Sequence, residues 1–341
     1  MKAGKISIAV NKRSILRQLS SRRKEAAIIP SLYENCGGID VRTSGEVIFS
    51  DVSLYGNEKE LGAFAVVQAV NHLWAKGVAP VGIDVSILLP PASEEAELKE
   101  LAGCMEQSCD QMNLDILSIQ AEVTEAVNLP VVSVTALGTA EANERRSRTA
   151  AGPGQDIILT KWAGMEGTIR VLKEKRAELS ERFVQAFLQR IDDFEKELPV
   201  FREAQIARQH GASAVRQVTS GGIMAALWAV SEEAGAGLEI EMERISLKQE
   251  TVEICEHFRL NPYQLTSAGC LLIVTDDGKK LAKKLEAEGI AAGSLGTLTG
   301  NNDKLILKGC EKRYLDRPAP DELIKIYKLK AGKDHDKHCI V

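Results

Sequence analysis

Apolar residues in the first half of the chain recur with two different periods. Between Asn57 and Lys76 they return at helical spacing, which predicts one long helix with Asn57 as its N-cap and Gly77 just after its end. Over 82–89 they alternate with polar residues, which predicts a strand that stops before Pro90. A second helix is predicted from a Ser93 cap to Met112, with further strands at 47–51, 115–120 and 130–138.

The second half repeats this mixture of periods. Strands are predicted at 156–160, 238–243, 270–275, 290–298 and 304–308, and helices at 165–174, 180–197, 221–233 and 248–258. Helices and strands mixed in this order indicate an α/β or α+β protein. The polar segment 141–155 predicts a boundary between a domain at 1–145 and a second at 150–328. Residues 329–341 lack periodicity, and we expect a mobile tail.

Composition narrows the class of protein. Apolar residues make up 44% and charged residues 27%, a soluble globular balance, and the net charge of −5 argues against binding nucleic acid or a membrane surface. No apolar run is long enough to span a membrane. Seven cysteines without CxxC spacing argue against a disulfide framework and a zinc knuckle, so we expect a cytoplasmic protein. The basic run from Lys12 to Lys24 is interpreted as the solvated face of an N-terminal helix.

Five strings of sequence carry a resemblance, and they occur in a fixed order. They are FSD followed by ELGAFAVVQAVNHLWAKGVAP, AEVTEAVNLPVVSVTALG, GQDIILTKWAGMEGT, QVTSGGIMAALWAVSEEAGAGLEIE and NPYQLTSAGCLLIVTDDG. Together they resemble the motif blocks of the aminoimidazole ribonucleotide (AIR) synthase superfamily, and most of all its hydrogenase maturation branch, the HypE group. The resemblance covers roughly residues 25–328.

The resemblance implies a fold, cofactors and partners. It implies two α/β domains, an N-terminal domain that forms a homodimer, a protein partner, and ATP with Mg²⁺ as cofactors. Asp51 is the implied metal ligand; the alternative is a turn residue at a strand end. The implied cofactor-binding residues are Asp51, Asn71, Thr219, Ser220, Gly221 and Gly222. The two glycines could hold a phosphate with free N–H groups or pack a helix tightly on a strand, with Thr219 and Ser220 as N-cap residues either way.

Four acids of the superfamily motifs are replaced in this chain, by Asn35, His72, Gln120 and Gln217. Phosphoryl transfer needs its negative charge neutralised, and an amide can bind a metal without offsetting that charge. We therefore expect an ATP-dependent phosphoryl-transfer or maturation activity that is altered or lost. The alternative is a non-catalytic dimeric scaffold or partner-binding protein. His72 could also be a partly buried, hydrogen-bonded histidine.

The C-terminus leaves two further alternatives open. Members of the HypE group end in an acceptor cysteine, whereas here Ile340 and Val341 follow Cys339. Cys339 is therefore either a similar acceptor or an ordinary tail cysteine. Two histidines and two aspartates precede it, at His335, His338, Asp334 and Asp336. This cluster either binds a transition metal weakly or belongs to a solvated tail.

Overall fold

The computed structural model describes residues 4–5, 8–30, 38–39, 46–140 and 151–331. The chain divides into two compact units, residues 1–147 and 148–341, and the division falls inside the polar segment singled out above. Within the described ranges, no helix is both long enough and apolar enough to cross a membrane.

The N-terminal unit is built on a five-stranded sheet with the order β1-β6-β5-β7-β4. Strands β5 and β6 are parallel and the other neighbours in this sheet are antiparallel, while β2 and β3 form a separate pair. The strands are β1 (Gly4–Lys5), β2 (Ala26–Ile28), β3 (Gly38–Ile39), β4 (Glu46–Tyr55), β5 (Ala79–Leu89), β6 (Asp115–Val123) and β7 (Val131–Ala140). The helices are α1 (Ile8–Ser14), α2 (Leu61–Lys76) and α3 (Glu95–Met112).

Both long helices of this unit begin later than the sequence predicts. Helix α2 starts at Leu61 rather than after Asn57, and its end at Gly77, in the left-handed conformation at φ 77°, is confirmed. The predicted Ser93 cap of α3 is wrong, because Glu94 is the N-cap and forms a reciprocal capping box with Glu97. These two carboxylates satisfy backbone N–H groups that a serine would otherwise serve.

The basic run near the N-terminus docks the chain instead of facing solvent from one helix. Arg22 lies beyond α1, and its guanidinium pairs with Glu106 and, at 3.0 Å, with Asp110 on α3. The carboxylate of Asp115, only 1% exposed, accepts the backbone N–H groups of Arg22 and Arg23 at 2.5 and 2.6 Å. The interpretation as a solvated helix face is therefore wrong for this part of the run.

The C-terminal unit contains a seven-stranded sheet with the order β14-β13-β10-β12-β8-β11-β9. Its strands are β8 (Asp156–Thr160), β9 (Ala214–Gln217), β10 (Gly237–Glu241), β11 (Leu271–Thr275), β12 (Ala292–Thr299), β13 (Lys304–Lys308) and β14 (Glu311–Tyr314). Its helices are α4 (Met165–Arg182), α5 (Gln185–Asp193), α6 (Phe201–Gln209), α7 (Gly222–Ala234), α8 (Gln249–Phe258), α9 (Gly278–Ala287) and α10 (Ile324–Ala331). Apolar side chains of the sheet and of α7 share one core, which includes the fully buried Leu227, Leu238 and Leu272.

Among the boundaries predicted in this unit, two differ most from the structure. The predicted helix at 180–197 is wrong, because α4 continues through a non-helical residue at Lys175 to Arg182 and α5 is much shorter. Residues 329–331, assigned above to the tail, continue helix α10. Residues 332–341, with Cys339 and the His/Asp cluster, lie outside the described residues, as does Asn35.

Candidate functional site

Asp51 lies in the middle of β4, on the side of the sheet that faces away from α2. Its side chain is exposed, whereas that of the next residue, Val52, is 8% exposed. One carboxylate oxygen accepts a 2.7 Å hydrogen bond from the Oγ1 of Thr135 on β7. Because β4 continues to Tyr55, the alternative of a turn residue at a strand end is wrong.

A second carboxylate, which the sequence analysis missed, shares a row of the sheet with Asp51. Thr135 is the register partner of Asp51 on one side and of Asp84 on the other. Asp84 is exposed, and its neighbours Ile83 and Val85 are buried. The strict alternation of β5 already places Asp84 on the face opposite its apolar neighbours, so this signal was available in the sequence.

Asp51 and Asp84 belong to a broader surface, called here the exposed sheet face. Next to the row of acids lies a row of hydroxyl and amide side chains, in which Ser53 and Ser133 are hydrogen bonded at 2.7 Å. Its other members are Ser86 and Gln120, so Gln120 shares this face with Asp51. Beyond Asp51 the face becomes apolar, with Val47 44% and Phe49 70% exposed.

His72 and Asn71 belong to helix α2, on the other side of the sheet. The Nδ1 atom of His72 lies 2.9 Å from the hydroxyl oxygen of Ser50, which precedes Asp51 on β4 and points the opposite way. Asn71 is fully buried. The half-buried, hydrogen-bonded interpretation of His72 is therefore confirmed, and Asp51 and His72 are not brought together on one face.

In the C-terminal unit, Gly221 and Gly222 form the turn that starts α7. Both have positive φ angles, 79° and 65°. A Cβ on Gly222 would lie 2.5 Å from the carbonyl oxygen of Tyr263, so this glycine is needed for close packing. Thr219 and Ser220 do not cap the helix: Gly221 is the N-cap, and Thr219 contributes only its carbonyl oxygen, which accepts the N–H of Gly222 at 3.0 Å.

The cap of this helix comes from a residue 100 positions further along the chain. Asp321 accepts the N–H of Gly221 at 2.7 Å and that of Leu323 at 2.9 Å, and it also accepts the N–H of Thr266. Burial raises the pKa of the Asp321 carboxyl above its ordinary value, and these N–H donors oppose that shift. The chain's own carboxylate therefore lies at the helix start for which the sequence left phosphate binding and tight packing as alternatives.

The remaining motif residues of this unit have structural partners. Glu166 is fully buried and accepts hydrogen bonds from the Thr266 hydroxyl at 2.8 Å and the Ala268 N–H at 3.2 Å. Thr168 bonds the hydroxyl of Thr251 at 2.9 Å. Gln217 ends β9 opposite Leu271 and is 3% exposed.

The resemblance implies a metal site formed by acidic side chains. Across residues 46–140 and 151–331 and the short described stretches before them, no group of three or more His, Cys, Asp or Glu side chains is arranged to hold a metal ion. Mg²⁺ bound together with a nucleotide usually takes only one or two protein carboxylates and completes its shell with phosphate oxygens and water. Asp51 and Asp84 are compatible with that sparser kind of site.

Comparison with known proteins gives matches over both units. The family model for the N-terminal domain of AIR synthase related proteins matches residues 26–140, and the model for their C-terminal domain matches residues 152–308. Carbamoyl dehydratase HypE of Rhodobacter capsulatus is 25% identical over 242 residues, which are 70% of this chain and 68% of that protein.

Two solved structures show the same fold at low sequence identity. The hydrogenase maturation protein HypE in complex with ATP superimposes with a TM-score of 0.73 at 14% identity, over 93% of this chain and 96% of that one. A HypE chain in a HypE–HypF complex gives a TM-score of 0.65 at 17% identity, over 82% and 92% of the two chains. Since family models match both units, the chain belongs to the AIR synthase related proteins and is similar to HypE.

Proposed function

We propose that this chain is a HypE-like protein whose ATP-dependent phosphoryl-transfer or maturation activity is altered or lost through replacement of its metal-binding acids. The proposal rests on what occupies the positions of the superfamily's metal-binding acids in this chain. Asp51 keeps an exposed carboxylate, while His72 is engaged with Ser50 and Gln217 is buried at the end of a strand. Neutral side chains there leave the charge of a polyphosphate poorly offset.

Asp84 supports the version of this proposal in which nucleotide binding is altered rather than lost. It lies two strands away from Asp51 across Thr135, so their Cα atoms are about 10 Å apart at ordinary strand spacing. That separation suits two ligand positions along a polyphosphate better than two ligands of one ion. Bound Mg²⁺ would neutralise phosphate charge, and the two carboxylates would hold it from the exposed sheet face.

Calorimetric titration of ATP, with and without Mg²⁺, tests whether the replacement of the acids weakens Mg-ATP binding. We expect the variant with Asn35→Asp, His72→Asp, Gln120→Asp and Gln217→Asp to bind Mg-ATP at least tenfold more tightly than the native chain. Adding Asp51→Asn or Asp84→Asn to that variant should remove most of the gain. Glu122→Gln is the matched control, because it alters an exposed acid on a different strand, β6. It should leave the gain in affinity intact.

Two results would contradict the proposal. One is a native chain that already binds Mg-ATP as tightly as the variant with four restored acids. The other is a correctly folded restored variant with no gain in Mg-dependent affinity. The absence of ATP binding in every variant would favour the alternative function, a non-catalytic dimeric scaffold or partner-binding protein.

We also propose a homodimer formed through the apolar part of the exposed sheet face. Phe49 and Val47 are neighbours on one side of β4 and are 70% and 44% exposed, while Tyr55, 41% exposed, lies on the same side beyond Asp51 and Ser53. Exposed apolar side chains that adjoin one another, as Val47 and Phe49 do, are typical of interaction surfaces. We expect Phe49→Asp to convert a dimer into a monomer in sedimentation velocity. Phe201→Asp, at a 46% exposed phenylalanine of the other unit, is the control and should remain dimeric. A monomeric native chain, or a dimeric Phe49→Asp variant, would argue against this surface.

The remaining parts of the proposal concern the partner, the compartment and the tail. A protein partner is supported by the HypE–HypF complex among the similar structures. A cytoplasmic location is supported by the absence of disulfides among the described cysteines, Cys104, Cys109, Cys255, Cys270 and Cys310. Cys339 as a modified acceptor stays a prediction, and so does metal binding by the residues around it.

A further inference from the structure

The row of side chains that contains Asp51 and Asp84 has a threonine at its centre. Strand β7 lies between β4 and β5, and its residue Thr135 is the register partner of Asp51 on one side and of Asp84 on the other. A threonine hydroxyl has a single O–H group to donate. Thr135 can therefore donate a hydrogen bond to only one of the two carboxylates at a time.

In the structure that single donor belongs to Asp51. The Oγ1 atom of Thr135 donates to one carboxylate oxygen of Asp51 at 2.7 Å. Within the part of the chain that the structure describes, no other donor reaches the Asp51 carboxylate, and none reaches that of Asp84. The two exposed acids of the row therefore differ, because the protein orients the side chain of Asp51 and leaves that of Asp84 free to turn.

Thr135 is itself held firmly enough to orient a neighbour. Its strand is paired along both edges, with β4 and with β5, and its side chain is half-buried. Threonine is branched at Cβ, which restricts its χ1 angle to few values. The bond to Thr135 also uses only one oxygen of Asp51, so the other oxygen remains available to a cation.

A hydrogen bond of this kind changes how well a carboxylate binds a metal ion. Carboxylates that bind metals are usually oriented by hydrogen-bond donors that do not touch the metal, and loss of such a donor lowers metal affinity about 10–100-fold. A ligand that is already oriented loses less conformational freedom when the metal binds. Asp51 has such a donor in Thr135, whereas Asp84 has none among the described residues.

We propose that Thr135 is a positioning residue, whose hydroxyl orients the Asp51 carboxylate for Mg²⁺ bound together with a polyphosphate. Asp51 is then the pre-oriented ligand of the row, and Asp84 is the ligand that adapts to the bound molecule. This inference rests on the proposed Mg-dependent binding at Asp51. It adds to that site a neutral side chain that touches neither the metal nor the phosphate.

Calorimetric titration of ATP into the full chain with the four restored acids tests this role. Adding Thr135→Val, which keeps the branched shape but removes the hydroxyl, should weaken Mg-ATP binding at least tenfold. ATP binding without Mg²⁺ should stay within twofold, and Thr135→Ser, which keeps the hydroxyl, should stay within threefold in both conditions. Thr139→Val is the matched control, because it makes the same substitution on the same strand in a row whose other members are Val47 and Ala79. It should leave both affinities unchanged.

A double-mutant cycle with Asp51→Ala shows whether Thr135 acts through Asp51. When the carboxylate is already absent, Thr135→Val should change the affinity for Mg-ATP by less than twofold. An equal loss with and without Asp51 would overturn the proposal, because Thr135 would then act on its own.

The possible outcomes separate this inference from the proposed function. A restored chain that gains Mg-ATP affinity and keeps it in Thr135→Val supports the proposed function and overturns the role of Thr135. A restored chain without any Mg-dependent gain contradicts the proposed function, and the role of Thr135 fails with it. A tenfold loss in Thr135→Val that Thr135→Ser does not share supports both.

Discussion

Glu203→Leu is expected to lower the free energy of unfolding of the C-terminal unit by about 3–5 kcal/mol. Lys161, 8% exposed, lies 2.5 Å from the carboxylate of Glu203, which is 2% exposed. The ammonium group also donates to the carbonyl oxygens of Glu197 and Pro199 at 2.5 and 2.9 Å. Removing the carboxylate leaves a buried positive charge that two neutral acceptors do not offset. Urea titration followed by hydrogen exchange of β11 peptides measures this loss.

Two further variants separate the charge from the change in packing. Lys161→Met combined with Glu203→Leu removes both charges, and we expect it to be more stable than Glu203→Leu alone. Glu288→Gln breaks the exposed Arg202–Glu288 pair and should change the unfolding free energy by less than about 1 kcal/mol. A Glu203→Leu variant no less stable than the Glu288→Gln control would mean that the buried pair contributes little to this fold.

Gly222→Ala is expected to destabilise the same unit by about 2–5 kcal/mol. Its φ of 65° costs an L-residue about 1–2 kcal/mol. The added Cβ would also meet the carbonyl oxygens of Tyr263 and Leu265 at 2.5 and 2.8 Å, and overpacking costs about 1–3 kcal/mol more. Both contacts are with backbone atoms, so the loop before β11 must move. The same urea titration gives the free-energy change.

Gly235→Ala is the matched control for this substitution. Gly235 ends the same helix at φ 57°, and a Cβ added there meets no atom within 4 Å. It should therefore show only the left-handed cost, about 1–2 kcal/mol. If the two alanine variants were equally stable, the turn before α7 would have to be more adaptable than its contacts indicate.

Local patterns in the sequence predicted much of the fold. The strands at 156–160 and 304–308 have the predicted bounds, because turn-forming or polar residues flank a compact apolar run. Starts of helices were less predictable, as for α2, whose first turn lies after Asn57 rather than at it. The elements that the sequence did not predict include strands β9 and β14 and helices α6, α9 and α10. Strand β9 has only four residues, and its pairing with β11 is not encoded locally.

The candidate site was less predictable, since its key contacts join distant parts of the chain. Asp51 and His72 are separated because α2 covers the side of the sheet opposite to Asp51. Strand alternation predicts that Ser50 and Asp51 point to opposite sides, but it does not predict which side α2 covers. Asp84 was readable from alternation in β5. Asp321 was not, because its principal partner, Gly221, is 100 residues away and the pattern around either residue suggests only a turn.

The order of strands in the N-terminal sheet has a consequence for synthesis on the ribosome. Strand β7 lies between β4 and β5, although it is the last strand of this sheet to be translated. All ten residues of β4 find their backbone partners on β7, so this strand has no neighbour in its own sheet until residue 140 has left the exit tunnel. An unpaired strand bearing Phe49 is prone to aggregate in the interval between the synthesis of β4 and that of β7. We therefore expect nascent chains stalled before β7 to depend more on chaperones than chains stalled after it.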